Sequence, residues 1–206
     1  MLHDQLKGSP YQHLIANLGY TFGFFPVILS RLRLFTETTI TVALPILARP
    51  RRRKFLQAAK LSSIVFTANT AGTFLAALLA IYADTTTPAV TDSMLEISRN
   101  FAESSGITAL LLDICAGFII AALVWMLASA KGTELLVIML FTFFIAACDF
   151  THVITGSNEV FLLVLNGEMN ITTVIADPTL PTLIGNIIGG TGLFAMLAYG
   201  QVHKEM

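Results

Sequence analysis

The chain has 206 residues, of which 55% are hydrophobic and 12% charged, with a formal net charge of -1 and a mean hydropathy of +0.75. Soluble domains carry about a quarter of their residues as charges, so this composition excludes an ordinary soluble enzyme or binding module and points to an integral membrane protein. The near-neutral charge gives no basis for a nucleic-acid partner, and the length fits one membrane domain.

A helix needs about 20 apolar residues to cross a hydrocarbon core of about 30 Å, and five stretches qualify. Leu14 to Ala48 is too long for one straight span and contains Arg31, Arg33 and Glu37, which predicts one helix broken into two halves. Leu61 to Ala83 and Ile107 to Ala128 read as ordinary spans, the second with Asp113 facing the bundle interior. Leu135 to Asn166 is again long and is interrupted from Asp149 to Glu159; Leu183 to Tyr199 closes the set. Cys115 and Cys148 fall in apolar stretches and read as packing residues, neither a disulfide framework nor a metal site.

The basic residues set the orientation. Arg49, Arg51, Arg52, Arg53, Lys54 and Lys60 lie between the first two spans, and Lys131 and Lys204 share their side if five spans alternate. The other side keeps Lys7 and Arg99, so the positive-inside rule places the C-terminus in the cytoplasm of a multi-pass inner (plasma) membrane protein. The same cluster can also attract anionic lipid head groups.

One pattern occurs twice. Leu34-Phe35-Thr36-Glu37 precedes Asn69-Thr70-Ala71-Gly72, and Asp149-Phe150-Thr151-His152 precedes Asn186-Ile187-Ile188-Gly189; Phe35 to Asn69 is 34 residues and Phe150 to Asn186 is 36. Broken helices in corresponding positions of two repeats are the best sequence pointer to a transport site. An unbroken span precedes the second copy and none precedes the first, so residues 14–83 read as an incomplete first repeat and 106–199 as the second. A three-span unit repeated once runs in inverted orientation. The expectation is a bundle with five of six spans, poorly packed where the first would stand.

At this point the residues resemble the formate/nitrite transporter family. Gly19-Tyr20-Thr21 with Gly23-Phe24, then Leu34-Phe35-Thr36-Glu37 and Pro45, look like a broken second helix; Phe150 and His152 resemble a central Phe-Glu-His; Gly185-Asn186-Ile187-Ile188-Gly189-Gly190 resembles the last-helix signature. The resemblance implies an all-α, aquaporin-like inverted-repeat bundle, a homopentamer with one pore per protomer, and passage of small monovalent anions or their weak acids. Thr151 stands in place of the family's Glu, Val153 in place of the usual Ser, and the vestibule lysine has no match.

A broken helix leaves unpaired amides at the start of one half, and these must line a cavity or be capped. Two such N-terminal ends facing the midplane attract anions without a full cation. Thr36, Thr38, Thr151 and Thr155 can donate to an anion or bond back to their own helices. His152 is the leading pore residue, because an ionisable group within a span is by default functional and histidine changes charge near neutral pH. A neutral, purely structural imidazole is the alternative. Leu34 and Phe35 read either as a hydrophobic gate or as core. Glu37 reads as the pseudo-symmetric partner of His152, paired with Arg31 or Arg33, and Asn69 and Asn186 as side chains that hold the breaks.

Asp149, His152 and Ser157 supply the residue types of a hydrolytic triad, but no Gly-x-Ser-x-Gly elbow accompanies them. Neither break has Asn-Pro-Ala, no nucleotide-binding loop is present, and no cofactor is expected. The alternative function is a truncated non-transporting remnant, or an accessory subunit of a full-length homologue.

Overall fold

The computed structural model describes residues 8 to 83, 85 to 104 and 106 to 202; Lys7 and Lys204 lie outside them. All regular structure among these residues is helical. In chain order the helices are α1 (Gln12–Leu29), α2 (Phe35–Ala48), α3 (Arg52–Tyr82), α4 (Pro88–Glu103), α5 (Gly106–Leu127), α6 (Glu134–Ala147) and α7 (Val153–Leu165). The last span comprises α8 (Ile171–Val174), α9 (Leu180–Ile187) and α10 (Ala195–Val202), joined by wider π-helical segments at Ile175–Thr179 and Ile188–Phe194.

Three of these segments are long and apolar enough to cross a membrane alone: Arg52–Tyr82, Gly106–Leu127 and Ile171–Gln201. Four shorter apolar helices, α1 with α2 and α6 with α7, pair into two broken spans. The 14 residues of α2 cover only about 21 Å at 1.5 Å per residue, too short for the hydrocarbon core, so α2 needs α1 before it; α7 needs α6 in the same way.

Both breaks end in the same device. After α1, the Leu32 amide donates to Val27 O and the Arg31 amide to Ile28 O, with Arg31 at φ 55. After α6, the Phe150 amide donates to Ile145 O and the Asp149 amide to Ala146 O, with Asp149 at φ 52. This is the Schellman closure, which satisfies the last carbonyls of a helix and needs one residue in the left-handed region. Glycine fills that position where α7 ends, at Gly167 with φ 77, while the two breaks place an arginine and an aspartate there at a steric cost. The second break therefore occupies Cys148 to His152, and residues 153 to 159, expected within the interruption, are helical.

Packing is closest in the second half. Gly185 and Gly189 of the last span press on the backbone of α5 at Leu110 O and Ile114 O, and a Cβ at Gly117 would stand 2.7 Å from Asn186 O. Gly190 lets the Thr39 side chain of α2 approach, and the Thr191 hydroxyl donates to Thr39 O at 2.8 Å. Phe24 of α1 packs with Ile138 and Ile145 of α6 and with Ile120 and Leu123 of α5. An unanticipated helix, α4, carries Leu95 and Phe101 inward, and the Phe101 ring rests on Gly156 of α7, where a side chain would collide. Cys115 and Cys148 are both exposed, so they are not the packing residues expected.

Candidate functional site

The two breaks lie side by side, and the start of α2 and the start of α7 meet there. Leu34 is the N-cap of α2 and His152 the N-cap of α7, each in an extended conformation. Counted from the Schellman residues, Arg31 corresponds to Asp149, Leu34 to His152 and Phe35 to Val153. His152 is thus matched by Leu34, and the expectation that Glu37 is its counterpart is corrected: the shared Phe-Thr dipeptide falls at different helical positions in the two copies.

Glu37 is the third residue of α2, and its carboxylate reaches back to the Leu34 amide with Arg33 as the nearby positive charge. That is half of a capping box. Its principal contact is the backbone of its own helix, where pairing with Arg31 or Arg33 was expected. Asn69 of α3 completes the cap, accepting from the Phe35 amide at 2.9 Å and donating to Arg33 O at 3.3 Å.

His152 is 3% exposed and Thr36 and Asn186 are fully buried. The Thr155 amide donates to His152 Nδ1 at 3.4 Å, which caps α7. A neutral imidazole carries one proton, so with Nδ1 accepting, that proton sits on Nε2. Nε2 lies 2.9 Å from Thr36 Oγ1, so the ring donates to the threonine. Asn186 Nδ2 donates to the same hydroxyl oxygen at 3.4 Å. Both acceptor sites of Thr36 are then filled, and its own hydroxyl proton remains to be given. One contact between residues 36 and 152 thereby joins the first turns of helices that arrive from opposite sides.

The other threonines are engaged elsewhere. Thr38 bonds back to Leu34 O at 3.0 Å, and Thr151, 6% exposed, donates to Ala109 O of α5 at 3.3 Å. Ser157 bonds back to Val153 O at 2.6 Å, and the His152 nitrogens face Thr36 and Thr155, so no Ser-His pair forms.

Leu34 and Phe35, adjacent in sequence, part company. Leu34 and Phe150 are half-buried around Phe24 and Ile145, and the Phe24 ring meets the His152 ring edge-on at 5.6 Å. Phe35 is 4% exposed and packs instead with Val65, Val153 and Phe66. Leu34 and Phe150 therefore gather in the cluster around Phe24, the ring that His152 meets. Tyr20 is a further residue of the site that the sequence did not single out as chemical: its buried hydroxyl lies by the Thr155 side chain and feels Glu159 and Asp113. The clue was its place one turn before Phe24 on α1.

The formate/nitrite transporter family model matches residues 1–200. The inner membrane protein YfdC of Escherichia coli (strain K12) is 36% identical over 202 residues, 98% of this chain, and the chain spans 65% of that relative's length. A solved structure described as a pentameric formate channel with formate bound superposes with a TM-score of 0.80 at 17% identity, covering 97% of this chain and 87% of that one. The fold is thus the helical bundle of that channel, with two broken helices, and this chain belongs to the formate/nitrite transporter family.

Proposed function

We propose that the protein conducts small monovalent anions, or their conjugate weak acids, through a pathway at the paired breaks. The observation that carries this reading is the buried hydrogen bond from His152 Nε2 to Thr36 Oγ1 at 2.9 Å, placed where two helix N-termini converge. Those termini favour negative charge, and the hydroxyl proton of Thr36 supplies a neutral donor. A transporter or channel, with no covalent chemistry of its own, accounts for such a site better than an enzyme does.

In the proposed passage the anion reaches Thr36 and accepts its hydroxyl proton. Thr36 is reprotonated from His152 Nε2 while Nδ1 gains a proton from the entry side, giving up its cap on Thr155. The neutral acid then passes the apolar pair Leu34 and Phe150, where a bare anion would pay a large desolvation cost. Homopentameric assembly is carried over from the solved formate channel, and the cytoplasmic C-terminus from the basic residues at 49 to 60.

The test is flux of formate, nitrite, lactate, acetate and chloride into proteoliposomes at two pH values. Weak-acid flux that rises with an inward proton gradient and is lost in both His152→Ala and His152→Asn supports the relay. Retention in His152→Asn alone reduces the ring to a hydrogen-bonding part. A second reading, an accessory subunit of a full-length homologue, draws on the exposed Ala68 and Gly72 of α3; a discrete, conducting oligomer formed by this chain alone argues against it.

A further inference from the structure

Asp113 lies in the middle of α5, fully buried, and neither carboxylate oxygen has a hydrogen-bond partner. Beside it stands Asn186 of α9, brought close because Gly185 has no side chain: a Cβ there would lie 3.1 Å from Asp113 Cβ. Asn186 Oδ1 is also buried and unpartnered. Asn186 is nonetheless the side chain within interacting reach of Asp113. Three buried acceptor atoms therefore stand unpaired on two adjacent side chains, and one carboxylic proton given by Asp113 to Asn186 Oδ1 would satisfy both groups. The alternative is an Asn186 turned over, giving Nδ2 to Asp113 and Oδ1 to Thr36, and the two orientations differ in their hydrogen bonds, not in their shape.

The choice has a consequence at the site. With Nδ2 on Thr36, as observed at 3.4 Å, the threonine keeps its hydroxyl proton for a ligand. With Oδ1 there, Asn186 takes that proton itself. Taking the pathway at Thr36 and His152 as its premise, we propose that Asp113 is a positioning residue that stands as the neutral carboxylic acid and donates to Asn186 Oδ1, locking the amide so that Thr36 presents its proton. The premise is the function proposed above; the carboxylic acid itself does not depend on it. An ionised carboxylate sealed in the bundle without a cation is costly. Tyr20 of α1 is the other titratable group that Asp113 feels, and a phenol supplies no positive charge to balance a carboxylate. The line of contacts then runs Asp113, Asn186, Thr36, His152, from α5 through the last span into both broken helices.

The test combines infrared spectroscopy and flux on the whole protein in liposomes. A protonated carboxyl band at neutral pH, shifted in heavy water and absent from Asp113→Asn, is the expected signature. Asp113→Asn retains a donor for Asn186 Oδ1, so its flux stays within about twofold of wild type, whereas Asp113→Leu, of similar size without a donor, falls about tenfold, the scale of one hydrogen bond. A missing carboxylic acid band, or an Asp113→Asn variant as impaired as Asp113→Leu while both fold, overturns the proposal. Should the wild type itself conduct nothing, the pathway reading fails, and the infrared band still decides the state of Asp113.

Discussion

The two halves of the molecule each carry a broken span followed by a helix with small residues four apart, and they bury those residues differently. In the second half, α5 lies along the last span, and Gly185 and Gly189 bring the two backbones into contact. In the first half the corresponding small residues are Ala68 and Gly72 of α3; both are exposed, and nothing approaches Gly72 within 4 Å. The most apolar stretch of α3 is 11% buried, against 39% for α5 and 33% for the last span. Small-x-x-x-small spacing permits close approach, but it draws two helices together only where a partner is present. The sequence spacing is equal in both halves; the packing is not.

Substituting the same residue pair separates the halves most sharply. Gly189→Ala drives a methyl group into Ile114 O, and the forced separation of α5 from the last span should destabilise by about 1–3 kcal/mol. Gly72→Ala meets nothing and replaces a helical glycine, so it should be neutral or stabilise by up to about 1 kcal/mol. Thermal unfolding in one detergent compares them directly. A Gly72→Ala variant as damaged as Gly189→Ala would mean that α3 is packed by a partner in the assembled protein.

The caps of the two half-helices differ in a second way. The α2 cap comes from a neighbouring helix, through Asn69 Oδ1 and the Phe35 amide, while α7 is capped by its own His152. Asn69→Ala should cost about 1 kcal/mol of stability, as N-cap removals do, and leave the pH dependence of flux unchanged. If instead it shifts that pH dependence, Asn69 acts on the histidine and the two caps are one coupled unit.

Much of this organisation was legible in the sequence, for definite reasons. The spans followed from length and hydropathy, and the breaks from charges that a membrane helix tolerates only where backbone turns into a protein interior. Their positions were blurred because glycine, the usual sign of a Schellman end, is replaced by Arg31 and Asp149. The same replacement hid the true register, since Phe35-Thr36 and Phe150-Thr151 align as letters while the helix starts align Leu34 with His152. The helix α4 escaped because it is too polar and short to read as a span. The link from Asp113 to Asn186 was beyond any local pattern, joining residues 73 positions apart through a glycine contact.

The smallest effect lies at the membrane surface, on the side opposite the 49 to 60 cluster. Among the hydrogen bonds that join distant parts of the chain, the buried one at His152 and Thr36 contrasts with an exposed pair in which Arg99 of α4 grips Glu168, Nε to Oε2 and Nη2 to Oε1, both at 2.7 Å. Asn166 Nδ2 adds a third donor to Glu168 at 2.8 Å. These hydrogen bonds, the Arg99 one foremost, hold the Glu168 carboxyl below the usual carboxylate range. A depressed folded value means that the tether stabilises above the unfolded glutamate value of about 4.3 and is lost as pH falls through the folded one. The side chains are 50% and 29% exposed, so water and salt screen the pair, and exposed bridges contribute little. Glu168→Gln should therefore lower the unfolding temperature only slightly at neutral pH, and the difference from wild type should shrink at high salt and vanish in strong acid. A large, salt-independent loss would place this outer tether beside the buried one as a determinant of the fold.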